Sequence, residues 1–220
     1  MDTHIFARVD DFLSTTFGLE DDILKLVEES IRKNGMPEHS VSATQGQLLF
    51  FLAKACQAKR IIEVGTLGGY SAIWLARALP EGGKITTIEI DERFAQVAKA
   101  NIGRAGLDDK VDVIVGEALK VLDTPECNDA PVDLFFMDAD KPNYVNYFNW
   151  ALKRSRPGSM IIADNVIREG KVLSADSEDE KVVGVRNYLH MLANEKCVTT
   201  SILQTVGHKE HDGIALSLVE

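Results

Sequence analysis

Two rhythms alternate along most of this chain. Short, unbroken apolar runs rich in β-branched or aromatic residues occur at RIIEV (60–64), KITTIEI (84–90), VDVIV (111–115), VDLFFMD (132–138) and SMIIAD (159–164). Runs of this length and composition predict strands buried on both faces. Stretches with apolar residues at helical spacing stand between them: GGYSAIWLARAL (68–79), ERFAQVAKANIGRAG (92–106), GEALKVLD (116–123) and PNYVNYFNWALKRS (142–155). The alternation predicts a parallel sheet with helices on both faces. Upstream, GLEDDILKLVEESIRKNG (18–35) predicts a helix that stops at a glycine. Residues 36–60 begin as a loop and become a helix capped near Ser42 or Thr44. After Val166 a long polar loop leads to a helix at EDEKVVGVRNYLHMLANE (178–195). Finally VTTSILQTV (198–206) and DGIALSLVE (212–220), joined by a short turn, predict an antiparallel hairpin at the sheet edge. The expected fold class is therefore α/β. It is a Rossmann-like, doubly wound, mostly parallel seven-stranded sheet, with an antiparallel C-terminal edge hairpin and extra N-terminal helices. One domain, 1–220, is expected, with helices over 1–58 and the core over 59–220.

Composition narrows the class. The 220 residues are 45% hydrophobic and 26% charged, as in an ordinary globular protein. Lys and Arg number 24 against 34 Asp and Glu, a formal net charge of -10, which repels nucleic acid on average. Cys56, Cys127 and Cys197 are far apart and form no CxxC pair, so they read as small hydrophobes in a reducing compartment. No segment reaches the roughly 18–20 apolar residues of a membrane span, and the N-terminus carries no apolar stretch of signal-peptide length. A cytoplasmic protein is expected.

Candidate chemistry begins where the first strand meets its helix, at IIEVGTLGGYS (61–71). Ligands collect at the C-terminal ends of parallel strands, and Gly65, Gly68 and Gly69 let the backbone pass close to one. The spacing is not G-x-G-x-x-G, which counts against a dinucleotide pyrophosphate. Glu63 places an acid inside an apolar strand, where a carboxylate needs a partner. Glu89, in TIEID (87–91), stands where an acidic side chain can bind both hydroxyls of a ribose. Together they favour a nucleoside carrier without a pyrophosphate, and S-adenosylmethionine fits. Each feature alone has a plainer reading, a tight turn or a helix-start acid.

EVGTLGGYSAIWLA, TIEID, GEAL, MDADKPNY and ADN, with VSATQGQLL before the first strand and VGHKEHDGIAL near the end, resemble the class I S-adenosylmethionine-dependent O-methyltransferases. The likeness is to the caffeoyl-CoA and catechol O-methyltransferase group, especially its small bacterial members. The resemblance implies that Val41 touches the cofactor and that Glu63, Gly65, Tyr70 and Ser71 surround its methionine part. It implies that Glu89 binds the ribose, that Glu117 and Ala118 flank the adenine, and that Asp138 lies near the cofactor amino group. Asp138, Asp164 and Asn165 would be the metal ligands and Lys141 the base. A homodimer is also implied, and the apolar stretch LLFFLAKA (48–55) offers a self-complementary patch.

The residues themselves carry the metal reading some distance. FFMDADKPNYVNYF (135–148) and MIIADNV (160–166) are strands that each end in acid or amide groups. Asp138 and Asp164 would share one rim of a doubly wound sheet, where two carboxylates repel unless a cation lies between them. With the Asn165 amide the set is all hard oxygen, suited to Mg²⁺, and also to Mn²⁺ or Ca²⁺. Two adjacent hydroxyls of a catechol could complete the shell. The expected reaction is methyl transfer to a hydroxyl of a small vicinal dihydroxy phenol of catechol, caffeoyl or flavonoid type, with Lys141 and Asp138 catalytic. Against this stands the plain reading of helix-start acids and a polar turn. His208 and His211 lie in the hairpin turn and read as solvated. Arg168 stands where plant caffeoyl-CoA enzymes carry an aromatic residue, and could attract an anionic substrate or be exposed. Three other functions fit the sequence less well. Methylation of a hydroxylated uridine in tRNA conflicts with the acidic charge. A nucleoside-binding module without catalysis conflicts with an intact Lys141 and acid set. An NAD-dependent oxidoreductase lacks its glycine fingerprint.

Overall fold

The computed structural model describes residues 4–208 and 211–220. Three α-helices come first: α1 (His4–Phe17), α2 (Asp22–Lys33) and α3 (Ala43–Ala55). The alternating part follows as β1 (Arg60–Val64), α4 (Tyr70–Ala78), β2 (Lys84–Glu89), α5 (Glu92–Arg104), β3 (Val111–Val115), α6 (Ala118–Leu122), α7 (Pro125–Asn128) and β4 (Val132–Met137). A 3-10 turn (Lys141–Asn143) then opens α8 (Tyr144–Arg154), followed by β5 (Ser155–Asp164) and a second 3-10 segment (Arg168–Leu173). The chain closes with α9 (Glu180–Leu192), β6 (Val198–Thr205) and β7 (Asp212–Val219).

The strands form one seven-stranded sheet in the order β3-β2-β1-β4-β5-β7-β6. β1 to β5 are parallel, and β7 runs antiparallel between β5 and β6. Successive strand residues face opposite layers, as the two-residue period requires. Ile61 and Phe136 pack on one side with Leu24, Leu49 and Ile73. Ile62 and Phe135 pack on the other with Tyr144, Phe148 and Tyr188.

The register brings four strand ends together. Val64 pairs with Met137, and Met137 with Ala163. The chain leaves β1 with Gly65 N–H donating to the Ile88 carbonyl (3.0 Å) and leaves β4 with Asp138 N–H donating to Val64 (2.9 Å). Gly65, Asp138 and Asp164 therefore emerge on one rim, next to the end of β2.

Some elements depart from the pattern. β5 begins at Ser155 rather than Ser159, taking in Pro157 and Gly158, and its register against β4 shifts between Val132 and Leu134. That early part is mostly exposed, so no apolar run marks it. α1 has no buried residue, and Phe12 and Phe17 are exposed. It is tied instead by polar contacts: Asp10 accepts from His208 N–H (3.1 Å), and Asp11 pairs with the His208 ring (2.8 Å). α3 begins at Ser42 in a reciprocal capping box with Gln45. Lys209 and Glu210, in the expected hairpin turn, lie outside the described residues. Among the described residues, no helix is long and apolar enough to cross a membrane.

Candidate active site

The converging strand ends open into a cleft of about 700 Å³, within the usual range for a small-molecule site. Gly65 sits at its floor with φ 99°, and a Cβ there would lie 2.3 Å from the Asp138 carbonyl oxygen. Only glycine lets strands β1 and β4 splay this closely around a ligand site. Gly69 continues the turn at φ 86° and starts α4.

Two acids flank this turn. Glu89 is held by backbone donors on both oxygens: Leu67 N–H at 2.8 Å and Asp91 N–H at 3.0 Å. Its carboxylate is thus aimed into the cleft before any ligand arrives. Glu63 is not at the cleft surface: it is fully buried beneath the turn. One of its oxygens accepts from Thr87 Oγ1 (2.5 Å), and Thr87 in turn bonds Thr66 (2.6 Å). The other, Oε1, has no hydrogen-bond partner. Burial pushes the Glu63 carboxyl up to about 7; the Ser71 and Thr87 hydroxyls pull it back, and Asp138 and Glu89 push it further.

The opposite end is an acid rim threaded by one ammonium. Lys141 is 5% exposed. Its Nζ donates to Asp138 Oδ1 (2.9 Å), Asn165 Oδ1 (2.9 Å) and Tyr144 Oη (2.6 Å). Tyr144 O–H in turn donates to the Asp164 carbonyl oxygen (2.8 Å). The Asp164 side chain is held by its neighbour's N–H (Asn165, 2.8 Å) and by Gln45 Nε2 (3.4 Å). Burial, then the Asp138 charge, lifts the Asp164 carboxyl to about 7, and Lys141 opposes this. Asn165 adopts a left-handed backbone (φ 58°), which turns its amide back toward Lys141. Helix α9 packs against this turn through Gly184, where a Cβ would lie 2.5 Å from the Lys141 carbonyl oxygen.

The structure brings the predicted residues to one place, with qualifications. Val41, Gly65, Ser71, Glu89, Glu117, Ala118, Asp138, Lys141, Asp164 and Asn165 all line the cleft. Tyr70 lines it too, but its hydroxyl donates to Glu20 (2.7 Å). Glu117 is half-exposed and pairs with Lys120 (2.7 Å). Among the described residues, no three His, Cys, Asp or Glu side chains converge as a metal cluster. The candidate cation set is two carboxylates and an amide. Sequence reasoning gave no role to Gln45 or Tyr144, although VSATQGQLL and MDADKPNY contain them. Their polar atoms prove to hold Asp164, a contact across 119 residues for Gln45 that no local pattern announces. The His211 ring bonds Gln204 (2.7 Å).

Comparison with known proteins agrees with this geometry. The chain is 49% identical to a catechol O-methyltransferase of Niastella koreensis, with all of both chains covered. Among solved structures it is similar to the O-methyltransferase of Bacillus cereus in complex with SAH, with TM-score 0.96, 43% identity, and 99% of this chain and 100% of that one covered. It is also similar to TomG of Streptomyces achromogenes, an O-methyltransferase involved in tomaymycin synthesis and solved with SAM, with TM-score 0.94, 44% identity, and 100% and 99% covered. The model of the O-methyltransferase family matches residues 14–219, and this chain belongs to that family.

Proposed function

We propose that this chain is a cytoplasmic, divalent-cation-dependent enzyme that moves a methyl group from S-adenosylmethionine to one hydroxyl of a small vicinal dihydroxy phenol. The observation that carries this reading is the Lys141 ammonium, seated 2.9 Å from both Asp138 Oδ1 and Asn165 Oδ1 at the rim of the glycine-turn cleft. A positive charge already occupies the focus of these oxygens, and the burial and Asp138 repulsion that together lift Asp164 would be offset by a second cation. The donor set is all oxygen and suits Mg²⁺, with Mn²⁺ or Ca²⁺ as substitutes. The catechol and caffeoyl-CoA O-methyltransferases among the relatives support the substrate class.

For the nucleoside, the cradle is Gly65 below and Glu89 at the ribose position, with Val41, Tyr70 and Ser71 toward the methionine part and Glu117 and Ala118 toward the adenine. Glu63 lies under this cradle, its Oε2 tied to Thr87 and its Oε1 orphaned. S-adenosylmethionine supplies an electrophilic methyl carbon. A cation held by Asp138, Asp164 and Asn165 would favour the phenolate form of a hydroxyl bound to it. The chain's own residues do the rest. Gln45 and the Asn165 N–H hold the Asp164 carboxylate in place. Tyr144 fixes the Lys141 turn from below. Lys141 releases Asp138 and Asn165, gives up one ammonium proton to solvent, and as the neutral amine takes the hydroxyl proton. Burial of the rim excludes water, and the two binding ends of one cleft hold oxygen and methyl carbon in line.

The deciding experiment is transfer of labelled methyl from S-adenosylmethionine to catechol, with and without EDTA, and with bulk tRNA as a parallel acceptor. Labelled catechol product that disappears in EDTA and returns with Mg²⁺ is expected. Undiminished transfer in EDTA, or transfer to tRNA alone, would refute it. We also propose a homodimer, on the strength of Phe12, Phe17 and Phe51, all more than 60% exposed. Light scattering should give about twice 24.2 kDa; a species of 24.2 kDa at micromolar concentration would contradict it.

A further inference from the structure

Not every cleft residue has a part in this scheme. The cleft walls are rich in carboxylates, and the Lys141 charge is committed to Asp138, Tyr144, Asn165 and the Asp164 carbonyl. Arg168 also lines the cleft, only three residues beyond Asn165. Its side chain makes no hydrogen bond or ion pair among the described residues, although its backbone N–H does. Its Nε is sealed from solvent without a partner. A long cationic side chain normally carries its head out to water. One that stays half-buried with an unsatisfied donor bears a desolvation cost.

The backbone keeps it there under strain. Arg168 (φ 55°) and Glu169 (φ 57°) are both left-handed without being glycine, a conformation that costs roughly 1–2 kcal/mol per residue. The buried Asp212 clamps the segment: its Oδ1 accepts from Ile167 N–H (2.9 Å) and Arg168 N–H (3.0 Å). Glu169 N–H donates to the His211 carbonyl (2.9 Å). Strain of this kind, over-determined by neighbours, is found where a side chain must be aimed. The aim is toward the reacting end of the cleft, whose wall Arg168 shares with Lys141, Asp164 and Asn165. The other uncommitted cation on the cleft wall, Lys181, enters from α9 at the exposed lip.

We propose that Arg168 is a specificity-determining residue that receives a carboxylate carried by the substrate, so that the favoured class is acidic vicinal diphenols, such as dihydroxybenzoates, rather than neutral catechols. This rests on the reading of the cleft as a vicinal-diphenol methyl-transfer site. The guanidinium offers two parallel N–H donors to a carboxylate, a charge-assisted pair. Such a pair shifts binding by about ten- to a hundredfold. Without it an acid substrate would meet a wall of like charge.

The test compares 3,4-dihydroxybenzoate with 3,4-dihydroxybenzamide, which matches it in shape and lacks the charge, in wild type, Arg168→Gln and Arg168→Lys. Wild type should favour the acid in kcat/KM. In Arg168→Gln the acid-to-amide ratio should fall about ten- to a hundredfold, chiefly through KM, and Arg168→Lys should recover part of it. Calorimetry on the SAH-loaded proteins reads the same contrast without turnover, and SAH affinity reports that the variants are folded. If wild type methylates neither diphenol, the reaction assignment fails, and calorimetry decides on Arg168 alone: acid binding lost in Arg168→Gln keeps the carboxylate site. Equal acid and amide preference in wild type, or an unchanged ratio in Arg168→Gln, overturns the proposal.

Discussion

The two ends of the cleft are built on different physical plans. At the β1–β2 end the acids are held by uncharged groups. Glu89 holds two N–H donors, and Glu63 is locked to a buried threonine pair. At the β4–β5 end the pairs are side chain to side chain, and they link segments distant in the chain: Lys141 with Asn165, Gln45 with Asp164. The first arrangement is a preformed cradle that needs no rearrangement to receive a ligand. The second is a charge cluster whose present pairing must be exchanged before a substrate can react. One end should therefore govern affinity for the nucleoside and the other the rate.

Asp164→Ala should separate the ends most sharply. Methyl transfer to catechol should fall to background, a loss on the order of 10⁴, because the rim could no longer hold a cation. SAH affinity by calorimetry should change by no more than a few-fold; a comparable loss there would erase the distinction between the two ends. Lys141→Ala comes next, with kcat lower by about 10²–10³ at neutral pH. That loss should narrow at high pH, where the phenol ionises without help. A flat pH profile of the ratio would show that Lys141 positions Asp138 and Asn165 rather than moving a proton.

Glu89→Ala probes the other end. S-adenosylmethionine should bind about ten- to a hundredfold more weakly, while kcat at saturating cofactor changes little. A fall in kcat alone would contradict the division of labour. The smallest effect concerns stability. The Glu63 carboxyl is raised from 4.5 to about 7 in the fold, so the folded state binds its proton more tightly than the unfolded chain does. Its contribution to stability is therefore fully present below about pH 4.5 and is lost as pH rises toward 7. The difference is on the order of 3 kcal/mol at most. Glu63→Gln should flatten that part of the urea-midpoint curve for the ligand-free protein. Asp164 slopes the same way, so some dependence should remain, and an identical curve in the variant would mean that Glu63 titrates normally.

Much of the fold was legible because β1, β2 and β4 are largely buried on both faces, so each reads as an apolar run bounded by turn residues, while β3, at the sheet edge with Asp112 and Val115 exposed, is marked instead by its β-branched residues. β1 and β3 fall on the expected residues, and β2 and β4 end within one residue of them. α1 escaped because it buries nothing and is fixed by His208, some two hundred residues away. The start of β5 escaped because its exposed residues include Pro157 and Gly158. At the site, residues that end a strand or enter a glycine turn were visible, since position and residue type together gave them away. Glu63 showed as an acid in an apolar strand, but not as a group sealed beneath the cleft rather than lining it.

What the sequence determined by itself is local: strand and helix periods, the capping box at Ser42, the glycine turn, and the hard-oxygen character of DADK and ADN. These depend on neighbours within a few residues and on side-chain chemistry alone. Only the tertiary structure decided how those pieces meet. The β1–β4–β5 register places Asp138 beside Gly65 and near Asp164. Burial raises Glu63 and Asp164 far from their ordinary carboxyl range. The Asp212 clamp turns Arg168 into the cleft against its backbone preference. Burial and charge pairing are sums over residues distant in the chain, and no periodicity along it records them.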